Sequence, residues 1–160
     1  MKEIKITRGL TVLVDDEDYE SLIRNRWTAS WHTNGWYARR NNNRGNVSTY
    51  MHRQILGLID PKIQVDHRNH DTLDNRRGNL RICTSKQNQA NRQWTPNRCG
   101  FKGVSWCRTS NKFKTRIKVD QQQRIIGFFD SPEEAAAAYD IAAIESFGEF
   151  ALTNSSMGLI

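Results

Sequence analysis

Val65-Asp66-His67, then Leu73-Asp74-Asn75-Arg76-Arg77-Gly78-Asn79-Leu80-Arg81, then Ser85-Lys86-Gln87-Asn88: from these residues the rest of the chain can be read. Ile63-Gln64-Val65 reads as a strand that delivers Asp66 and His67 at its end, and Leu80-Arg81-Ile82-Cys83 as the returning strand. Thr84-Ser85 can cap a helix running through Asn91, so residues 63–93 form one strand–turn–strand–helix unit. The unperturbed pKa of histidine, ~6.5, lies close to working pH, which suits His67 to general-base work. Asp66 offers a hard oxygen to Mg²⁺, an ion usually held by one or two protein ligands plus water and phosphate. Asn88 can supply a second oxygen from the helix. Asn79 is placed to brace the connecting loop through side-chain-to-backbone hydrogen bonds. Together with Arg76 and Arg77 to clamp a phosphodiester, these residues fit a compact one-metal hydrolytic site.

Composition agrees. The 160 residues carry 24 Lys+Arg against 17 Asp+Glu, a net charge of +7, unevenly spread. Residues 36–94 hold 11 basic and 4 acidic side chains, and residues 98–124 hold 8 and 1; the flanking 1–35 and 125–160 are acidic. Two basic blocks imply two surfaces for a polyanion. Cys83, Cys99 and Cys107 form no Cys-x-x-Cys pair, which argues against a zinc knuckle, and their odd number fits a reducing cytoplasm. No apolar run is long enough to span a bilayer, and the N-terminus lacks a signal-peptide core, so a soluble cytoplasmic protein is expected.

Upstream, Ile4 to Val14 alternates around Arg8-Gly9 as a hairpin does. Asp15-Asp16-Glu17-Asp18 opens a short helix ending at Arg24 and Arg26, with Tyr19, Leu22 and Ile23 as its apolar face. Trp27 to Trp31 and Trp36 to Arg40 read as paired strands turning at Thr33-Asn34-Gly35, their aromatics assigned to the core. Arg39, Arg40 and Arg44 lie in or beside an Asn-rich tip, Asn41 to Asn46, suited to riding on phosphates. Tyr50 to Leu56 reads as a short helix whose His52 is taken as structural in preference to a site residue.

Val65 to Asn88 closely resembles the HNH endonucleases, the ββα-metal nucleases, and particularly their phage homing branch, in which the last metal ligand is Asn. The resemblance implies that His67 is the general base, Asn79 the central loop asparagine, and Asp66 with Asn88 the metal ligands. It also implies Mg²⁺-dependent hydrolysis of a DNA phosphodiester; the oxygen ligand favours Mg²⁺ or Mn²⁺ over zinc. Leu13-Val14-Asp15-Asp16-Glu17-Asp18, Trp36-Tyr37-Ala38 and Tyr50-Met51-His52-Arg53 look like the same branch.

Trp94-Thr95-Pro96-Asn97 reads as a linker. Beyond it Gly100 to Trp106, Lys112 to Val119 and Arg124 to Phe129 form three expected strands. Ser131-Pro132-Glu133-Glu134 then starts a helix that Gly148 stops, its contact face supplied by Tyr139, Ala142, Ala143 and Phe147. Phe101-Lys102-Gly103-Val104, Gly127-Phe128-Phe129 and Glu133 to Ala143, with Ala151-Leu152-Thr153-Asn154, resemble the plant ethylene-response-factor (Apetala-two) DNA-binding domain over residues 99–154. That resemblance implies a sheet in the major groove, with Lys102, Ser105, Arg116, Lys118, Gln123 and Ile125 at groove-facing positions.

The expected fold class is α+β: an N-terminal HNH ββα-metal nuclease domain over 1–94 behind a small β-rich segment, then a C-terminal three-stranded antiparallel sheet packed on one helix. The expected function is a metal-dependent homing-type DNA endonuclease that nicks one strand of double-stranded DNA. It would act as a monomer or weak dimer in a bacterial host cytoplasm. A non-catalytic DNA-binding regulator is the competing reading, and a metal-dependent RNA-cutting enzyme a third.

Overall fold

The computed structural model describes residues 1–33, 35–41 and 48–160, so Arg44 of the Asn-rich tip lies outside the described residues. The chain divides into two compact units, Met1–Thr84 and Ser85–Ile160. Among the described residues no helix is long and apolar enough to cross a membrane.

The first unit opens with the antiparallel pair β1 (Lys2–Lys5) and β2 (Thr11–Val14), joined through a 3₁₀ turn at Thr7–Gly9. Ile4, Val12 and Val14 of the pair are buried, as alternation required. Helix α1 (Asp16–Ile23) follows, with Asp16, Glu17 and Asp18 in its first turn. Of its expected apolar face Leu22 is buried and Tyr19 packs on the core, but Ile23 is exposed. The indole N–H of Trp27 donates to Leu22 O at 2.9 Å and pins the helix end.

Strands β3 (Thr28–His32), β4 (Gly35–Asn41) and β5 (Ser48–Tyr50) form an antiparallel sheet. The third strand is one more than the sequence suggested. Its aromatics are only partly core: Trp27 is buried, whereas Trp31 is 61% exposed and packs edge-on to Trp36 at 5.1 Å. The small sheet covers one tryptophan and leaves the other to pair on its surface. Helix α2 (Met51–Ile55) buries Met51 and Ile55. The unit closes with β6 (Gln64–His67) antiparallel to β7 (Leu80–Cys83), Asp66 directly opposite Arg81 and His67 opposite Leu80.

In the second unit, α3 (Ser85–Ala90) precedes a sheet of β8 (Val104–Cys107), β9 (Lys112–Val119) and β10 (Gln122–Phe129), ordered β10-β9-β8. Helix α4 (Pro132–Phe147) starts as its sequence demands: Ser131 Oγ accepts from Glu134 N at 3.1 Å, and Pro132 occupies the first turn. Tyr139 and Ala143 pack on Ile117, and Ala135 and Ala136 on Val104. Asn154, fully buried, ties three segments together. Its Oδ1 accepts from Lys102 N at 2.7 Å, while its own backbone N and Nδ2 donate to Asp140 Oδ1 at 2.7 and 2.9 Å.

Gly103 is the position where the helix comes nearest the chain before β8. Its φ is +80°, and a Cβ built there would lie 2.1 Å from Tyr139 Cδ2. Gly103→Ala therefore adds left-handed strain to an overlap with a ring that is itself packed. A loss of roughly 2–5 kcal/mol is expected, read as faster hydrogen exchange in α4 while the amides of the first unit keep their protection.

Candidate nuclease site

Strand β6 ends on Asp66 and His67, both buried, so acid and imidazole are presented together from a rigid element. Arg81, facing Asp66 across the β6–β7 pair, donates from Nε at 2.8 Å and approaches with Nη2 at 2.7 Å, both contacts on Oδ2. Both partners are nearly inaccessible, which makes this a buried ion pair. Nothing in the spacing of Asp66 and Arg81 announced the pairing until the register was known.

His67 belongs to a cluster of rings that sequence reading missed. His52 stands edge-on to it at 5.4 Å and Tyr37 at 5.9 Å; Tyr50 stacks on His52 at 5.6 Å, and its hydroxyl lies 2.9 Å from His32 Nε2. The strand β5–helix α2 junction brings Tyr50 and His52 to one side, and β4 adds Tyr37. The quoted Tyr50-Met51-His52-Arg53 was the available signal, and His52 is a neighbour of His67 as well as a packing residue. Burial lowers the pKa of His67; the Asn75 amide and then the Asp66 charge pull the other way. Asn75 is 1% exposed, and among the described residues its Oδ1 accepts no well-formed hydrogen bond.

His52 is held down to about 3, by burial first and then by the fields of His67 and Arg53. A histidine with a depressed folded-state pKa takes up its proton in the unfolded chain first, so the unfolded state binds more protons between pH ~6.5 and about 3. Stability from this group is fully present above that window and is lost as pH falls through it. The first unit should weaken by a few kcal/mol across the window, on the order set by linkage. Urea unfolding at stepped pH measures it, and His52→Gln should flatten that part of the slope.

The loop between β6 and β7 is braced throughout. Asn79 Oδ1 accepts from Asn69 N at 3.0 Å, and Asn79 Nδ2 donates to Asp74 O at 2.7 Å, closing the loop on itself. Leu13 N donates to Leu73 O and Asn75 N to Leu13 O, which ties the loop to β2. Arg76 forks onto Asp74 at 2.8 and 2.6 Å, and Arg77 onto Asp18 at 2.8 and 2.7 Å. These two arginines, expected on phosphate, have carboxylate partners that hold the loop. Arg40 is similarly engaged, donating to Gln54 Oε1 at 2.9 Å, and Arg39 reaches Asn41 Oδ1 at 3.1 Å.

Asn88 sits on α3 in the second unit. Of the expected groove-facing residues there, Ser105, Arg116, Lys118, Gln123 and Ile125 share the sheet face opposite α4 by register. Lys102 does not: its Nζ donates to Leu152 O at 3.0 Å, and burial lowers its pKa to about 8. The turn before β8 and the pull of backbone carbonyls direct it inward.

Residues 50–90 match the HNH endonuclease family model. The segment that matches the HNH model runs from Tyr50 to the end of α3 and contains His52, Asp66, His67, Asn79 and Asn88. An uncharacterised HNH endonuclease of Acanthamoeba polyphaga mimivirus is 35% identical to this chain over 100 residues, covering 62% of the chain. The chain spans about half the length of that relative, 51%. No solved structure matches it.

Proposed function

We propose that this protein is a metal-dependent DNA endonuclease of the HNH homing type, which nicks duplex DNA and is directed to it by the basic sheet of its second unit. The observation that carries the reading is the pair Asp66-His67, adjacent at the buried end of β6 inside the HNH segment, with the loop behind it locked by Asn79.

Donor chemistry fits a hard divalent cation, Mg²⁺ or Mn²⁺: the Asp66 carboxylate at the end of β6 is an oxygen donor, as is the Asn88 amide that the resemblance names. Asp66 would hold the ion, with Asn88 the second ligand that the sequence resemblance implies; when bound, the ion supplies charge stabilisation for the phosphoryl oxygens and the leaving 3′ oxygen. His67, kept neutral by desolvation, accepts a proton from the attacking water. The water oxygen bonds to phosphorus, the P–O3′ bond breaks, and the leaving oxygen takes a proton from solvent. The imidazolium so formed is stabilised by the Asn75 amide beside it and by the Asp66 charge. Arg81 keeps the Asp66 carboxylate in one orientation throughout.

One centre per chain acts on one strand, so relaxation of supercoiled plasmid tests the reading. Nicked circles that require Mg²⁺ or Mn²⁺ and vanish with chelator are expected. Binding to varied DNA without scission in either metal would overturn the enzyme and leave a DNA-binding regulator in its place.

A further inference from the structure

Strand β9 alternates two chemistries. Phe113, Thr115, Ile117 and Val119 turn toward α4, Thr115 donating to Ala135 O at 2.9 Å, so Lys112, Lys114, Arg116 and Lys118 lie on the opposite face. The three strands contain no acidic residue. Asp130, just beyond β10, holds Lys112 at 3.1 Å at one end, and the Arg116 guanidinium reaches Gln123 Oε1 at 3.3 Å near the other.

Two large apolar side chains share this cationic face. Ile125 pairs with Arg116 and Phe128 with Lys114, and they are 58% and 45% exposed. Three positions apart, they would point to opposite sides of a regular strand. The register shift between Ile125 and Gly127 inserts one residue and brings both to the outer face, while Ile126 and Phe129 pack inward. Two apolar groups set among cations suit a polyanion that also offers apolar groups. Duplex DNA does so in the major groove at one place, the thymine 5-methyl. Three strands span ~10 Å, within a groove of ~12 Å; the partners Arg116 and Lys114 stand two residues apart on β9, so Ile125 and Phe128 lie ~7 Å apart and would meet bases about two steps apart.

We propose that Ile125 and Phe128 read thymine methyl groups, so that the second unit selects sites with thymines about two steps apart; this rests on the reading of that unit as the DNA-contacting half.

The test uses the intact chain carrying His67→Ala, in EDTA, with a duplex enriched from a randomised pool. Each thymine is replaced by uracil, which deletes the methyl and keeps every hydrogen-bonding group. Each methyl lost should cost roughly 4-fold in affinity, on the order of 10-fold for two. The Ile125→Ala/Phe128→Ala chain should bind thymine and uracil duplexes equally, with an unchanged salt slope because its phosphate contacts remain. Circular dichroism identical to the parent's establishes that these surface changes leave the fold intact. Equal affinity of the parent for the two duplexes, or a thymine preference that survives the double substitution, overturns the inference alone. Failure to bind any duplex overturns the DNA reading with it, as does binding to anionic phosphatidylserine vesicles in place of DNA.

Discussion

His67→Ala should slow strand scission by roughly 10²–10⁴-fold, the range that a positioned general base contributes, while duplex binding stays within a factor of two or so of the parent's. The argument is local. His67 stands at the end of a buried strand, its ring enclosed by His52 and Tyr37, and desolvation favours the neutral form that can accept a proton. Alanine also removes a packed ring, so His67→Asn, which keeps more of the volume, serves as the companion variant. Both should show the same loss in a gel assay of nicked circles under saturating DNA, where the defect reports kcat. A chain that folds, binds and still nicks at the parental rate without this imidazole would assign the proton transfer elsewhere.

Arg81→Ala is expected to have the largest effect on stability. It leaves the Asp66 carboxylate buried with its guanidinium partner gone, a loss of roughly 3–5 kcal/mol for a buried pair broken from one side. Asp66→Ala should be costly for the mirror-image reason, since it removes the carboxylate beside the buried guanidinium. The double variant should be less destabilised than the two singles predict by addition, because it removes both charges together. Chemical denaturation of the four proteins in chelator gives the coupling. Additive losses would mean that the pair contributes little and that the carboxylate is held by other neighbours.

Local chemistry was readable from the chain wherever it was written in contiguous residues. The Ser131-Pro132-Glu133-Glu134 start of α4, the Ile4–Val14 hairpin and the strand pair delivering Asp66 and His67 all depend on neighbours within a few positions, and each stands in the structure where the sequence put it. Interactions that depend on distant register were not readable. Arg77 finds Asp18, 59 residues earlier, and Asp66 finds Arg81 only because the loop length sets them opposite each other. His52 looked like an ordinary packing residue, since its proximity to His67 depends on how α2 meets β6. The bulge in β10 leaves no mark in a pattern of alternation except to break it, so the inward and outward residues after Ile125 could be assigned only from the pairing. Exposed Trp31 and Ile23 show the same limit from the other side: apolar character sets a preference for burial, and the available area decides which residues obtain it.

The grip of β2 on the β6–β7 loop has a bearing on how the proposed nuclease activity could be cut down or transplanted. The HNH segment begins at Tyr50, yet the loop inside it leans on Leu13, on Asp15 through the Arg77 amide at 2.7 Å, and on Asp18. A cassette excised at the segment's own borders would carry the residues proposed to react and lack the contacts that hold their loop. The smallest portable cutter is thus longer than its motif and must include the opening hairpin and first helix.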